Sequence, residues 1–382
     1  MRNIIPYGRQ YVDKSDINSV VKTLKKDFIT QGSIVDEFEK KFAKYVGSKY
    51  AVAVSSCSAG LHLSCLIYSK KKFENIVTSP ITFASTANAI LHSGKKPIFC
   101  DVDVKDANIS ITSLKKILKN KKIGGVMPVH FAGNTCNMEE IKNICKKDNI
   151  FIIEDAAHAL GSEYKCGSKV GSCKYSNITV FSMHPLKSIT TGEGGVITTN
   201  NINIYKKLKI MRSHGIKKDF NKQKPWLYTM EDLGFHYRLT DFQCAMGISQ
   251  LSKLGKFIKK RDEIAKKYYI AFDNTNNCNL LLRDKGNIKK SNHLFVLKIN
   301  FKKIKKTKKN LINYLKKKGI GSQVHYIPVP MLKFYKKLGY KMTNLNNAKI
   351  YYEQAISIPI FYQLKKKSQI YIIDQIKKFI KS

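Results

Sequence analysis

The stretch Ile150-Phe151-Ile152-Ile153-Glu154-Asp155-Ala156-Ala157-His158 decides the fold of this 382-residue chain. It begins with a run of β-branched and aromatic residues, which predicts a buried strand, and it ends in two carboxylates and a histidine. A carboxylate at the end of a buried strand is costly unless it has a partner. The stretch therefore predicts either a helix cap or an ion pair at this point, or an acid that pairs with a protonated ring nitrogen.

Similar short apolar runs occur on both sides of this stretch. They alternate with helical patterns through the first 200 residues, so the sequence predicts a parallel, doubly wound α/β sheet. Ligands of such sheets bind outside the carboxyl ends of the strands. The predicted strands are Tyr50–Val54, Ile76–Ser79, Pro97–Val102, Gly125–His130, Ile150–Asp155 and Ile178–Met183, and the predicted helices are Leu61–Tyr68, Ala84–His92, Ser113–Leu118 and Met138–Lys147.

The pattern changes beyond Thr240. A long helical pattern runs to Phe272, and the polar stretch 273–292 predicts a linker or an exposed loop. We expect residues 1–250 to form a large domain with an N-terminal arm, and residues 251–382 to form a small α+β domain with a long connecting helix. The predicted elements of this small domain are strand His293–Ile299, helix Lys305–Lys318, strand Gln323–Ile327 and helices near Asn344–Gln354 and Ser368–Phe379.

The composition excludes several classes of protein. With 43% hydrophobic residues the chain is too apolar for a disordered tail, and no run of about twenty uncharged apolar residues predicts a membrane span. The start of the chain lacks the apolar run of a signal peptide, so we expect a cytoplasmic location and no membrane partner.

The formal charge of +42 suggests a nucleic-acid partner, but the basic residues argue against one. Only six of the 69 lysines and arginines are arginine, the residue that base and phosphate recognition favours. Lysines are spread along the whole chain, which is typical of a solvated surface. We therefore expect no nucleic-acid partner, although the charge would attract anionic ligands.

The nine cysteines include no CxxC pair, and several lie inside apolar runs. Cysteine in such runs acts as a small hydrophobic residue. The pattern disfavours structural zinc and a disulfide framework, and it fits a reducing compartment. We expect no metal site.

A second motif, Phe181-Ser182-Met183-His184-Pro185-Leu186-Lys187, places a lysine between a strand end and the glycine-rich turn 191–195. A lysine there is not placed for a solvated surface. Burial would lower its pKa and make the neutral amine a nucleophile, as bond formation with a carbonyl requires. Any single lysine in this chain is more simply a surface residue, but Asp155 on a separate strand end favours a chemical role for Lys187.

Two further strand ends carry suitable residues. The turn Ser55–Leu61 joins a strand to a helix, where free amides and the helix dipole suit a phosphate, although for this stretch alone an ordinary serine cap is the favoured explanation. Phe83 follows a strand and Pro80, where its ring could lie flat on an aromatic cofactor, although such a residue more often packs in the core.

The acid, the lysine, the phosphate cradle and the aromatic residue all follow strands of one sheet. In this combination the sequence resembles the fold-type I pyridoxal-phosphate enzymes, and specifically the DegT/StrS nucleotide-sugar aminotransferases. The resemblance implies a large, doubly wound, mostly parallel sheet domain followed by a smaller C-terminal α+β domain. The stretches that carry it span nearly the whole chain: Thr30–Gly32, Phe83–Ala89, Glu154–His158, Phe181–Lys187, Thr191–Gly195, Arg212–Gly215 and Leu233–Arg238.

The resemblance implies pyridoxal 5'-phosphate as the cofactor. Lys187 matches the lysine that binds it covalently and moves a proton, Asp155 the acid at the pyridine nitrogen, and His158 the residue at the ring hydroxyl. Glutamate is implied as the amino donor, and a homodimer with shared active sites as the assembly. The other matching cofactor contacts are Phe83 on the ring, Cys57, Ser58, Ala59 and Ser182 in the phosphate cradle, and His236 and Arg238, which would reach the neighbouring subunit's phosphate.

Two of these residues depart from the family pattern. His236 stands where asparagine is usual, so the charge of that site would depend on pH. Cys57 stands where glycine or alanine is usual, which leaves a backbone amide contact intact.

Within the family, several stretches resemble the UDP-sugar transaminases of pseudaminic acid biosynthesis. This implies amination at C4 of a UDP-linked 4-keto-6-deoxy-N-acetylhexosamine. Three alternatives stay open: another C3 or C4 transaminase of the perosamine, bacillosamine or viosamine type; a pyridoxamine-dependent sugar dehydratase, which Lys187 disfavours; and a basic nucleic-acid-binding or regulatory protein on the same fold. The stretches are Phe131–Asn134, His158–Ser162, Pro185–Thr191, Arg212–Ile216 and Gln323–Tyr326, and the implied substrate contacts are Tyr7, Thr30, Gln323, His325 and Tyr326.

Overall fold

A seven-stranded sheet lies at the centre of the computed structural model, which describes residues 4–69, 72–120, 122–218, 224, 226–281 and 288–381. Its strands are β1 (Tyr50–Val54), β2 (Asn75–Thr78), β3 (Lys96–Phe99), β4 (Ile123–Met127), β5 (Phe151–Asp155), β6 (Ile178–Ser182) and β7 (Gly195–Thr199). Their order is β1-β7-β6-β5-β4-β2-β3, and every pair is parallel except the two that β7 makes. The predicted mostly parallel α/β sheet is confirmed.

Helices cover both faces of this sheet. Successive side chains of a strand point to opposite faces, and in β5 Ile152 belongs to one buried cluster while Phe151 and Ile153 belong to another. Buried residues on both faces explain why the strands are apolar throughout. The helices of this part are α1 (Lys14–Leu24), α2 (Ser33–Val46), α3 (Cys57–Ile67), α4 (Ala84–His92), α5 (Ile111–Asn120), α6 (Met138–Lys146), α7 (Ile202–Met211) and α8 (Asp241–Phe272).

The sequence patterns do not predict β7. The last residue of the glycine-rich turn is also the first residue of β7, so the sequence shows no boundary between the turn and the strand. β7 is buried along its length and pairs antiparallel with both β6 and β1. It is therefore the element that joins β1 to the rest of the sheet.

The C-terminal part has its own buried cluster and a three-stranded antiparallel sheet. The predicted strand Gln323–Ile327 is wrong, because only Gln323 pairs there, in an isolated bridge with Ser357. The stretch 273–292 contains a short strand rather than only a loop, and residues 282–287 lie outside the described ones. After a small hairpin of β8 (Ile216–Lys218) and β9 (Tyr228–Met230), the elements are β10 (Cys278–Leu280), β11 (Phe295–Ile299), α9 (Lys308–Lys317), α10 (Lys333–Lys337), α11 (Asn346–Gln354), β12 (Ala355–Ile358) and α12 (Lys366–Lys381).

Helix α8 joins the two cores. Its first half contributes Leu254 and Phe257 to the cluster under the large sheet, and its second half contributes Tyr268 and Phe272 to the C-terminal cluster. The predicted boundary between residues 250 and 251 falls inside this helix, and the division into two domains stays a prediction.

No helix in the described part of the chain combines the length and the apolar character that crossing a membrane requires. Helix α8 is long enough at 32 residues, but lysines recur along it, such as Lys253, Lys259 and Lys266. The cytoplasmic location stays a prediction.

Candidate active site

A cavity of about 650 Å³ lies where β5 and β6 end and where α3 begins. The segment 323–327 and the N-terminal residue Tyr7 close it from the other side. The structure thus brings most of the predicted site residues together, at the strand ends where an α/β sheet binds ligands. The predicted residues that line the cavity are Tyr7, Cys57, Ser58, Phe83, Asp155, His158, Ser182, Lys187, Gln323, His325 and Tyr326.

The Asp155 carboxylate is buried in the cavity wall and held by two donors. Its Oδ2 accepts a hydrogen bond from Thr86 Oγ1 at 2.7 Å, and its Oδ1 accepts one from the Ala157 amide at 3.0 Å. A carboxylate has about four acceptor positions, so two donors leave capacity for a ligand. The fixed carboxylate is suited to a protonated nitrogen in the cavity.

The neighbouring Glu154 points to the opposite face of the sheet and has a structural environment. It is fully buried and accepts hydrogen bonds from His130 Nε2 at 2.7 Å, from Tyr164 Oη at 2.7 Å and from the hydroxyls of Ser176 and Thr179. Burial alone would raise the pKa of Glu154, but hydrogen bonds from His130 and these hydroxyls lower it below its usual value. Glu154 is the buried, fully paired acid of the strand end.

Lys187 lies in the loop between β6 and β7. Hydrogen bonds within this loop hold its backbone in place. The Met183 carbonyl accepts from Thr190 Oγ1 at 3.0 Å and from the Thr191 amide at 3.1 Å, while the Met183 amide donates to Gly194. Burial lowers the pKa of Lys187 to about 8, against the opposing effects of Cys57 and Asp155. About one tenth of this amine is therefore neutral at pH 7, far more than for a lysine with the usual pKa.

The turn before α3 offers free amides to the cavity. Ser56 caps the helix, and its Oγ accepts from the Ala59 amide at 3.1 Å. The amides of Cys57 and Ser58 belong to the first turn, where no helical carbonyl is available to them. Ala59 does not line the cavity, since it is buried with its amide engaged by the cap. An anionic group next to Cys57 and Ser58 would meet two N–H donors and the positive end of the helix dipole.

Gly195 lets β7 approach the turn before α3 closely. A side chain at residue 195 would push this turn away. A Cβ atom at Gly195 would lie 2.6 Å from the Ser56 carbonyl and 2.7 Å from the Cys57 nitrogen. We expect Gly195→Ala to lower the free energy of unfolding by about 1–3 kcal/mol, as overpacking does, and to weaken retention of a phosphate-bearing ligand. Thermal unfolding and equilibrium dialysis measure the two effects.

Gly255→Ala is the matched control. Gly255 lies in α8, and a Cβ atom there meets nothing within 4 Å. We expect this substitution to raise stability by about 0.5–1 kcal/mol, because alanine favours the helix. Equal behaviour of the two variants would contradict the role of Gly195.

Three neutral histidines form one side of the cavity. Burial, followed by the proximity of Lys187, lowers the pKa of His325 to about 4, and burial with Lys187 and His325 lowers that of His158 well below its usual value. His293 was not predicted: its ring centroid lies 4.4 Å from that of His158, and its Nδ1 is buried without a hydrogen-bond partner among the described residues. In the sequence it only begins an apolar strand pattern, and no local signal marks it.

Besides Ala59, three predicted residues lie outside the cavity of the single chain. His236 is exposed, with its ring 5.4 Å from that of His214, and the Nε of Arg238 is buried without a hydrogen-bond partner among the described residues. Thr30 is also exposed, and it precedes Gly32, whose amide donates to Asp241 at 2.8 Å. A contact of these side chains with a ligand in this cavity stays a prediction.

The residues of the cavity fit pyridoxal 5'-phosphate. Asp155 suits a protonated pyridine nitrogen, the α3 amides suit a phosphate ester, and Lys187 suits an aldehyde. Phe83 is 62% exposed, and its ring lines the cavity, where it offers a flat apolar face to an aromatic ligand. The fold and these four features define the class of protein: an α/β enzyme that uses this cofactor.

Comparison with known proteins assigns the family. The model of the DegT/DnrJ/EryC1/StrS aminotransferase family matches residues 10–377. A UDP-4-amino-4,6-dideoxy-N-acetyl-beta-L-altrosamine transaminase of Campylobacter jejuni (strain 81-176) is 40% identical over 373 residues, with 97% of this chain and 96% of that protein covered.

Two solved structures are similar along their whole length. Helicobacter pylori PseC, an aminotransferase of pseudoaminic acid biosynthesis, superposes with a TM-score of 0.93 at 32% identity, covering 99% of this chain and 100% of its own. The PLP form of Spr1654 from Streptococcus pneumoniae gives a TM-score of 0.90 at 26% identity, with 99% of each chain covered.

The chain belongs to the DegT/DnrJ/EryC1/StrS aminotransferase family. It is an aminotransferase, and pyridoxal 5'-phosphate is its cofactor. The predicted architecture of a fold-type I pyridoxal-phosphate enzyme is confirmed.

Proposed function

We propose that this aminotransferase moves an amino group from glutamate to C4 of a UDP-linked 4-keto-6-deoxy-N-acetylhexosamine, as in pseudaminic acid-type sugar biosynthesis. The observation that carries the proposal is the cavity, in which Lys187, Asp155 and Phe83 meet beside the free amides of α3. The substrate is supported by relatives named altrosamine transaminases from Campylobacter and Helicobacter, which are 34–40% identical to this chain.

Each residue has a distinct part in this proposal. The bound cofactor supplies the electron sink that stabilises a carbanion. Asp155, fixed by Thr86, holds the proton on the pyridine nitrogen. Lys187 Nζ would hold the cofactor through its aldehyde, and the same amine would take and return the proton that moves during transamination. Phe83 covers one ring face and excludes water from it.

The amides of Cys57 and Ser58, with the Ser182 hydroxyl, orient the phosphate in the proposal. Burial raises the pKa of the Cys57 thiol well above its usual value, so the thiol stays uncharged beside the phosphate. The sugar nucleotide enters past Tyr7 and Gln323, which line the cavity on the side of the C-terminal part.

Incubation with a panel of UDP- and dTDP-linked 4-keto sugars and glutamate tests the substrate. We expect mass spectrometry to detect an amino sugar from the UDP-linked N-acetylated member. A dTDP-sugar as the preferred substrate, or amination at C3, would contradict the proposed substrate but leave the transaminase class intact. A deoxygenated product without nitrogen would instead support the dehydratase alternative.

Uptake of the cofactor by cofactor-free protein is expected to depend on the Lys187 pKa. The neutral amine is the nucleophile, and a pKa of about 8 makes about one tenth of it neutral at pH 7. The rate of covalent uptake, followed by borohydride trapping and mass spectrometry, should rise about tenfold from pH 6 to 7 and level off above pH 8. A rise that continues to pH 10 would indicate an ordinary lysine.

We also propose that the active unit is a homodimer whose sites are shared. Lys187 is the only lysine or arginine among the described residues that line the cavity, although the phosphate, glutamate and the nucleoside diphosphate are all anionic. Positively charged side chains from a second copy would balance these charges, and Arg238 is the residue predicted to supply one. An exposed apolar patch precedes it in the chain and is suited to an interface: Trp226, Tyr228, Met230 and Leu233.

Mixing two inactive variants tests the shared site. In a mixed dimer of Lys187→Ala and Arg238→Ala, one site has the wild-type lysine from one chain and the wild-type arginine from the other. After complete exchange of an equal mixture, half of the dimers are mixed and each has one active site of two, so we expect up to about a quarter of the wild-type activity. A monomer in light scattering at micromolar concentration, or no recovery after proven subunit exchange, would reject the shared-site dimer.

A further inference from the structure

Arg261 carries a buried positive charge that has no carboxylate partner among the described residues. The side chain belongs to α8 and is 4% exposed. Its Nη1 donates to the carbonyls of His293 at 3.3 Å and Ile360 at 3.0 Å, whereas Nε and Nη2 make no hydrogen bond within the described chain. Burial lowers the pKa of Arg261 to about 10, and no acid in this part of the chain opposes that change. A buried charge is costly unless it is paired, so the guanidinium has capacity for an anion.

A second, small cavity adjoins this side chain and the loop that carries Lys187. Its volume is about 10 Å³, which is room for one water molecule or one monatomic ion. Arg261, Arg9 and Lys187 line it, and no described residue of its lining is acidic. Arg9 is exposed, so this side of the cavity faces solvent. Three basic side chains without an acid give the cavity a positive potential, which favours an anion.

The backbone of the lysine loop adds further donors. Ser188, Ile189 and Thr190 line the small cavity and not the larger one. All three residues are buried, and their amides make no hydrogen bond within the part of the chain that the structure describes. Buried amides almost always have a partner, so a ligand or a water is expected at these donors. Successive free amides next to a cation are typical of an anion site.

The acid on the far side of the cavity wall is already engaged. Asp16 accepts from Gln250 Nε2 at 2.7 Å, and its other oxygen lies 2.6 Å from the Lys253 amine. Gln250 lines the small cavity, but Asp16 does not. Asp16 therefore serves as the partner of Lys253 and leaves the charge of Arg261 unpaired.

We propose that the small cavity binds one monatomic anion of the size of chloride, held by Arg261, Arg9 and the amides of residues 188–190. The cavity is too small for a carboxylate or a phosphate with its substituents, so this site is separate from those of the cofactor and the substrates. Lys187 lines both cavities, and an anion beside it stabilises its charged form. Chloride should therefore slow attachment of the cofactor, because attachment needs the neutral amine.

Chloride NMR of the cofactor-loaded protein tests the site directly. With gluconate replacing chloride at constant ionic strength, we expect a saturable broadening of the chloride signal above the background of the surface lysines. Arg9→Gln and Arg261→Gln should each raise the chloride concentration at half-saturation about tenfold, because each removes a charged donor. Glutamine at 261 keeps a donor for the two carbonyls. Arg9 is exposed, so its variant decides the question if Arg261→Gln does not fold.

Lys259→Gln is the matched control. It removes the same charge from an exposed position of α8, two residues before Arg261, and it does not line the small cavity. We expect the half-saturation concentration to stay within about twofold of that of the wild type. Broadening that does not saturate would mean that the cavity holds water and would overturn the proposal. Equal weakening in Lys259→Gln and Arg9→Gln, or no weakening in Arg9→Gln, would overturn it as well.

The effect on Lys187 gives a second, independent measurement. From the larger cavity, Cys57 and Asp155 act on this amine equally in both salts. We expect the pH midpoint of covalent cofactor uptake to lie about one unit higher in chloride than in gluconate, and Arg9→Gln to abolish this difference while Lys259→Gln keeps it. Equal midpoints of the wild type in the two salts would refute the link to Lys187. Neither measurement involves a sugar, so both can be made whether or not the proposed substrate is correct.

Discussion

Replacement of Lys187 by alanine is expected to abolish transamination, with turnover falling by about 10⁴-fold, the upper range for loss of a proton-transferring group. The amine lies in the same cavity as Asp155, on a loop bonded to Met183, and it is the only lysine among the described residues that line this cavity. Reduction with borohydride followed by peptide mapping should find the cofactor attached to the peptide of residue 187 in the wild type and to no peptide in the variant.

Lys308→Ala is the matched control. It tests whether the role of Lys187 depends on its place in the cavity or only on its lowered pKa. Burial also lowers the pKa of Lys308 to about 8, but this amine bonds to the Tyr352 carbonyl and does not line the cavity. We expect Lys308→Ala to transaminate at close to the wild-type rate. Attachment of the cofactor to a peptide other than that of Lys187 would refute the assignment.

Asp155→Asn is expected to keep the fold and lower turnover by about 10³-fold, because it removes the charge that we propose holds the pyridine nitrogen protonated. The new amide can donate to Thr86 Oγ1, whose hydroxyl can turn toward Thr82 Oγ1, 2.7 Å away. The hydrogen bonds of the strand end therefore survive. Steady-state kinetics and the spectrum of the bound cofactor should both change while the melting temperature stays nearly constant.

The adjacent Glu154→Gln is expected to do the reverse. Glu154 accepts from His130, Tyr164 and two further hydroxyls on the far side of the sheet. Loss of its charge should lower the free energy of unfolding by about 2–4 kcal/mol and leave the pH midpoint of the cofactor spectrum in place. A variant pair with the opposite pattern would show that the two carboxylates have been assigned the wrong way round.

The sequence was sufficient to predict most of the residues that meet in the cavity. Strands in a parallel sheet end at one edge, so the acid of β5 and the lysine after β6 come together whatever the details of packing. The turn before α3 joins them for the same reason, as do the residues after β2. Residues such as Asp155, Cys57 and Phe83 were therefore predictable from local patterns and strand order alone.

Contacts between distant segments were not predictable in this way. The different roles of Glu154 and Asp155 depend on donors from other elements, and a pattern of adjacent acids does not show which face each one takes. The guanidinium of Arg212 bonds to Glu39 and to the Ala53 carbonyl at 2.6 Å, a structural contact across more than 150 positions of the chain. His293 likewise joins the site only because its segment packs against the loop after β5, where its ring centroid lies 4.4 Å from that of His158 and Ser291 Oγ donates to the His158 carbonyl.

The pairing of β1 has a consequence for synthesis on the ribosome. Among the described residues its only sheet neighbour is β7, and 145 residues separate Val54 from Thr199. At about 5–20 residues per second, the N-terminal segment waits roughly 7 to 30 s for its partner. During that time Phe38 and Phe42, which are fully buried in the finished protein, have no core to enter. Nascent chains that stop before residue 195 should therefore be bound by chaperones and degraded, while chains that extend past α8 should resist protease.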